Sequence, residues 1–153
     1  MNTIQGDLIA LALAGRFDVI VHGCNCRHAM DAGIAKQIKA AFPEAYAADL
    51  ATPKDAGKLG TISTAEIERG GVRFTVANAY TQDHWQGAGV LADYAAIRAA
   101  FAEIARRYPD KRIAYPKIGA GLAKGDWQAI ATIIDEELAG CDHTLVEYAP
   151  RAC

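Results

Sequence analysis

Val21-His22-Gly23-Cys24-Asn25-Cys26-Arg27-His28-Ala29-Met30-Asp31-Ala32-Gly33-Ile34-Ala35-Lys36-Gln37 is the stretch on which the fold turns. An apolar run, Val19 to His22, reads as a buried strand. It passes into a polar loop, and a helical pattern opens near Gly33. A strand that delivers a loop to a helix N-terminus points backbone N–H groups and the positive end of the helix dipole at whatever fills the loop, which is an anion site in outline. Gly33 would let a phosphate approach the backbone closely.

The same grammar recurs near the C-terminus in Tyr115-Pro116-Lys117-Ile118-Gly119-Ala120-Gly121-Leu122-Ala123-Lys124-Gly125-Asp126-Trp127. Here a strand meets a glycine-rich loop, and Asp126 is placed to cap the next helix. Two such loops on one sheet edge can hold a pyrophosphate between them with amides rather than with a basic patch. Neither loop is a P-loop or a G-x-G-x-x-G fingerprint, which disfavours ordinary nucleoside triphosphate or nicotinamide chemistry.

Working outward, strands are expected at Thr3–Gln5, Val19–His22, Gly60–Ile67, Arg73–Ala79, Arg112–Pro116 and His143–Tyr148. Helices are expected at Gly33–Ala41, Glu44–Leu50, Asp93–Arg107 and Asp126–Ala139, with a short one at Leu8–Ala14. Tyr94, Ile97, Phe101, Ile104 and Tyr108 form one apolar stripe. Glu68-Arg69-Gly70-Gly71-Val72 joins two strand-like runs as a hairpin, so the sheet is mixed. The expectation is a single α/β domain over residues 1–153, a three-layer α/β/α sandwich with a mixed central sheet.

Composition agrees with that class. The 153 residues are 52% hydrophobic and 22% charged, with a formal net charge of −2. A chain of this length buries a core large enough to stand without staples. The acidic balance argues against an extended nucleic-acid surface, which needs clustered Lys and Arg. The apolar stretch Leu8–Ala14 is too short to cross a bilayer. Four cysteines in no dense framework, and an N-terminus without a basic leader, point to the cytoplasm. Nothing in the sequence sets the oligomeric state.

Individual residues stand out. Asp7 follows the first strand, where its carboxylate either accepts from a ligand amino group or caps the helix at Leu8, or does both. His22 is the acid/base candidate because imidazole titrates near neutrality; the alternative is a buried, hydrogen-bonded histidine. Asp31 could position a water or assist His22, or be a solvated carboxylate. His22, Cys24, Cys26 and His28 supply metal-type ligands at every second position. On a strand such neighbours are roughly 6.5–7 Å apart, which cannot close a tetrahedron, so no metal and no cofactor is expected. Trp85 is a candidate to flank a ligand. Trp127 and Tyr148 read as packed in or beside the core, with Tyr148 alternatively a candidate to meet the edge of a ligand's ring.

Taken together, Gly6-Asp7-Leu8, the His22–Cys26 run with Ala32-Gly33-Ile34-Ala35, and Pro116-Lys117-Ile118-Gly119-Ala120-Gly121-Leu122 resemble the three motifs of a macro domain, in order and over nearly the whole chain. The resemblance implies a three-layer fold that binds ADP-ribose or an ADP-ribosylated substrate. Asp7, with Leu8 beside it, matches the adenine-contacting acid, and Asn25 the residue on the distal ribose. Ala32, Gly33, Ile34 and Ala35 match the first phosphate loop, and Gly119, Ala120, Gly121 and Leu122 the second. The run Ala77–Trp85 resembles the branch holding DNA ADP-ribosyl hydrolases and ADP-ribose-1″-phosphate phosphatases. Gln82 and Ala123 stand where those hydrolases carry a lysine nucleophile and an acid. An amide forms no Schiff base and a methyl group moves no proton. The expected function is therefore ADP-ribose binding with hydrolysis of a phosphate or ester from the distal ribose, using His22, Asn25 and Asp31. The alternatives are a non-catalytic reader and a hydrolase of ADP-ribosylated protein or DNA.

Overall fold

The computed structural model describes residues 1–87 and 89–149. Its elements run β1 (Asn2–Gly6), α1 (Leu8–Leu13), β2 (Val19–Asn25), α2 (Gly33–Ala41), α3 (Pro43–Leu50), a 3₁₀ turn (Ala56–Lys58), β3 (Ile62–Arg69), β4 (Val72–Gln82), α4 (Tyr94–Arg107), β5 (Arg112–Tyr115), α5 (Trp127–Glu137) and β6 (Asp142–Tyr148). The six strands form one sheet in the order β1-β6-β5-β2-β4-β3. Every pairing is parallel except the β3–β4 hairpin. Its turn is Gly70-Gly71, both at positive φ (58° and 85°), the left-handed pair that a tight hairpin turn needs. The mixed sheet results from this one hairpin.

Strand alternation sorts the core into two layers. Val19 and Val21 of β2 join Ile97, Phe101 and Ile104 of α4 and Ile130 and Ile134 of α5 on one face. Ile20 joins Leu8 of α1, Ile38 of α2 and Phe42 beside α3 on the other. The three-layer α/β/α sandwich is thus present, with the stripe of α4 facing the sheet through Ile97, Phe101 and Ile104. Tyr94 departs from it: the ring is exposed, and its hydroxyl accepts from Asp126 N at 3.0 Å, tying the starts of α4 and α5 together. Tyr148, expected in or beside the core, is 68% exposed at the C-terminal end of β6, whereas Trp127 does pack against the α4/α5 layer.

β2 and β4 outrun their expected ends by three residues each. β2 continues through Gly23, Cys24 and Asn25, and β4 through Tyr80, Thr81 and Gln82, because each continues to pair with the other. The polar and glycine residues there look like loop in isolation, but a parallel partner extends them. Both strands therefore deliver their last side chains further along the sheet edge, where β5 also ends.

Phe101 is fully buried and meets Tyr115 edge to face (centroids 5.7 Å apart, 83° between planes). Phe101→Ala is expected to lower unfolding free energy by about 3–5 kcal/mol, the range for removing a buried aromatic ring. Urea denaturation measures this; a loss below ~1 kcal/mol would show that the α4/α5 layer collapses around the vacancy.

Candidate functional site

The parallel strands β5, β2 and β4 all end on the same edge, and the segments that leave them wall a cavity of about 420 Å³. This is the edge where open α/β sheets bind ligands. One wall is Gly23 to Asn25 with the loop leading to α2, a second is Pro116 to Ala123, and a third is Thr81, Gln82 and Trp85.

The first wall ends on an uncapped helix. Asp7, Asp93 and Asp126 each accept a backbone N–H at the start of α1, α4 and α5. At α2 the N-cap is Ala32, which has no side-chain acceptor. Gly33, Ile34 and Ala35, the first helical residues, line the cavity. A helix N-terminus left uncapped and turned toward a cavity offers N–H groups and a positive dipole end to an anion. Gly33 has φ +58°, and a Cβ there would lie 3.8 Å from Leu122 Cδ1, so the two loops approach each other across the opening.

The second wall is held open by glycine. Gly119 sits at φ +74°, and a Cβ on Gly125 would come within 2.5 Å of Gly119 O. Gly125 N donates to that oxygen, and Ala120 N donates to Lys117 O at 3.3 Å. These bonds fold the loop so that Gly121 and Leu122 face outward at the cavity, while Ala120 is not in its wall. Gly121 differs from its neighbours: nothing lies within 4 Å of a Cβ added there.

Asn25 lines the cavity but its carboxamide also builds the loop. Oδ1 accepts from Arg27 N at 2.8 Å and Ala29 N at 3.3 Å, and Nδ2 donates to Ala29 O at 2.8 Å. One Nδ2 proton remains, so Asn25 can donate to a ligand hydroxyl. Asp31 lines the rim, largely exposed and 3.3 Å from Lys39 Nζ. Arg27 and Asp83 pair at 2.8 Å, joining the loops after β2 and β4. Trp85 is half exposed in the cavity wall and stacks on His84 with centroids 4.2 Å apart. Gln82 and Ala123 both lie in the wall, so the two positions face the cavity without an amine or an acid. Asp7 and Leu8 do not line it: Asp7 Oδ1 caps α1 at Ala10 N (3.1 Å), and Leu8, the first residue of α1, is buried.

His22 corrects the sequence expectation. It has no exposed surface and does not line the cavity. Period-2 alternation turns it, with Ile20 and Cys24, to the α3 side of the sheet. There its Nε2 donates to Asn78 Oδ1 at 2.6 Å, because Asn78 Nδ2 is spent on Ala45 O and Ser63 Oγ. Ser63 Oγ meets Tyr80 OH at 2.7 Å, and Tyr80 OH donates to Asp49 Oδ1 at 2.7 Å. Burial lowers the His22 pKa to about 4, against the smaller opposing pull of the Asn78 bond, so the ring is neutral near pH 7. The neutral ring presents no surface to the cavity from which to donate a proton.

Cys24 lines the cavity, but its Sγ is 3.7 and 3.6 Å from the two His22 ring nitrogens, over the ring rather than in line with either. Burial raises its pKa well above the ordinary thiol value, which leaves no thiolate nucleophile. Among the described residues Cys24, Cys26 and Cys141 are free and no His/Cys/Asp/Glu group could hold a metal ion; Cys153 lies outside them. No described helix is long and apolar enough to cross a membrane.

Comparison with known proteins is decisive on family. The family model described as "Macro domain" matches residues 21–134. The chain is 33% identical over 153 residues to the uncharacterized 17.5 kDa protein in the tk-vs intergenic region of Enterobacteria phage T4, covering 96% of each. Its fold is similar to the macrodomain of Mycobacterium tuberculosis DarG, with a TM-score of 0.77 and 23% identity over 98% of this chain and 97% of that one. It is similar also to Thermosipho africanus DarTG in complex with ADP-ribose, with a TM-score of 0.74 and 19% identity over all of this chain and 43% of that one. The protein belongs to the macro domain family.

The neutral state of His22 gives a pH test. The folded pKa of about 4 lies below the unfolded value near 6.5, so the folded protein binds fewer protons between them. The stabilisation is full above about pH 6.5, declines as pH falls, and is gone below the folded value; the difference corresponds to ~3 kcal/mol. Burial lowers His143 in the same sense. Urea melts from about pH 7.5 to about pH 4 are expected to show this decline in the native protein and a flatter one in His22→Gln. Equal slopes in the two proteins would show that His22 is solvated when folded.

Proposed function

We propose that this protein binds ADP-ribose, with the pyrophosphate between the amides of Gly33–Ala35 and the 119–122 loop and the distal ribose beside Asn25. The observation that carries this reading is the uncapped N-terminus of α2 in the wall of the cavity, opposite a glycine loop on the same sheet edge. The family supports it, as does the ADP-ribose complex of the similar Thermosipho protein. Adenine would reach past Lys117 and Glu147 toward Asp7, whose carboxylate accepts from its amino group while continuing to cap α1.

A second reading, hydrolysis of a phosphate or ester from the distal ribose, rests on Asp31, the one carboxylate among the described lining residues. In that reaction Asp31 would take a proton from the attacking water and Asn25 would orient the ribose. His22 plays no part. With Gln82 and Ala123 in the wall, a lysine-dependent release of ADP-ribose from DNA or protein has no nucleophile at that position. Binding is therefore the reading the geometry favours.

Calorimetric titration with ADP-ribose tests the proposal directly. Gly121→Glu places a side chain into open space in the cavity without backbone strain, and is expected to weaken binding at least ~100-fold, or 2.7 kcal/mol, while the melting temperature holds. Native-like affinity in that folded variant would sink the two-loop site. Asp7→Ser keeps the helix cap and is expected to cost about 1.5–3 kcal/mol of binding. Phosphate release from ADP-ribose-1″-phosphate that disappears in Asp31→Asn would establish the second reading.

A further inference from the structure

The loop carrying Asn25 to the α2 amides is braced from outside the cavity, and the brace converges on one residue. His28 has a left-handed backbone, φ +59°, a conformation that costs a side-chain-bearing residue free energy and must be imposed by its surroundings. Both ends of the residue are held by α3 and the turn just after it. His28 Nε2 donates to Thr52 O at 2.7 Å, and His28 O accepts from Tyr46 OH at 3.1 Å.

Thr52 is itself fixed from below. Its backbone N–H and its hydroxyl both donate to Asp49 O, at 3.0 and 2.6 Å. The hydroxyl oxygen accepts from Lys58 Nζ at 2.7 Å. Lys58 is buried, 3.6 Å from the buried Asp49 carboxylate and 4.3 Å from the centre of the Tyr80 ring. Thr52 O is therefore a rigid acceptor anchored by a buried ion pair. His28 sits between Arg27 and Ala29, the two residues whose backbone groups the Asn25 carboxamide grips. Releasing His28 frees the turn on which Asn25 and the approach to Gly33 depend.

We propose that His28 is a positioning residue for the ligand site: through its Nε2–H to Thr52 O it holds the 25–31 turn in the conformation that presents Asn25 and the α2 amides, without lining the cavity itself. This rests on the ADP-ribose reading for its affinity readout but not for its structural one. The tests use the full chain, His28→Ala, and His28→Gln, whose Nε2 can replace the lost donor. Hydrogen–deuterium exchange of residues 26–35 in ligand-free protein is expected to rise about 10-fold or more in His28→Ala and to return to within about threefold of the parent in His28→Gln.

ADP-ribose affinity, measured by calorimetry, is expected to fall about 10-fold in His28→Ala and to recover in His28→Gln. The effect should be non-additive with Asn25→Ala, since both act on one turn. Unchanged exchange and affinity in His28→Ala overturn the proposal, as does a Gln variant no better than Ala. If the parent chain binds no ADP-ribose but the exchange pattern is as expected, the brace stands and the ligand assignment falls.

Discussion

The parallel insertion of β2 between β5 and β4 is the constraint on which the rest depends. It extends from Val19 paired with Ile113 and Thr75 to Asn25 paired with Gln82. Because these strands run the same way, their carboxyl ends share one edge, and the cavity is the space between the loops that leave them. The pairing also decides which side chains see it. Val19, Val21 and Gly23 lie on the α4/α5 side, while Ile20, His22 and Cys24 lie on the α3 side. At Gly23 a Cβ would come within 2.8 Å of Thr81 Oγ1, so close packing of β2 on β4 requires glycine there.

On the α3 side the sheet carries a buried polar seam, His22–Asn78–Ser63–Tyr80–Asp49, ended by Lys58. A buried ion pair is weak evidence for stability, since desolvation offsets much of the attraction. What this one does is geometric: it ties the C-terminal end of α3 and the 3₁₀ turn to the last residues of β4. The segment that braces the 25–31 loop is thereby held to the same strands that form the cavity floor. Burial raises the Tyr80 pKa and lowers that of His22, so the network is held by hydrogen bonds from neutral groups around a single ion pair.

The cavity edge shows how a chain with net charge −2 can present unspent backbone N–H groups without a basic patch. It uses no cluster of lysines. It omits a cap. Aspartates cap three of the five α-helices, and of the two without a side-chain cap, α2 with its alanine leaves its donors unspent beside a cavity. Glycines at 119 and 125 then bring the opposing loop's backbone into a turn that a Cβ would prevent.

Much of this was legible in the amino-acid order because it is local. The hairpin at Gly70-Gly71, the capping aspartates, the α4 stripe and the two strand–loop–helix breaks each declare themselves within a few residues. The family resemblance rested on those same breaks. The continuation of β2 and β4 past their apolar runs was not legible, because it depends on each strand finding the other. The fate of His22 was also hidden: a polar residue at a strand's end can face the ligand or the core. Only the position of α3, bringing Ala45 and Asp49 over Asn78 and Tyr80, decided for the core. His28 drew attention only as a metal-type ligand, and its bracing contact was hidden for the same reason, since the sequence separates it by 24 residues from the carbonyl it holds. Chemistry written in neighbouring residues was settled by the sequence itself. Chemistry that needs two distant segments to meet was settled by packing, because burial and hydrogen-bond geometry exist only once the layers have closed.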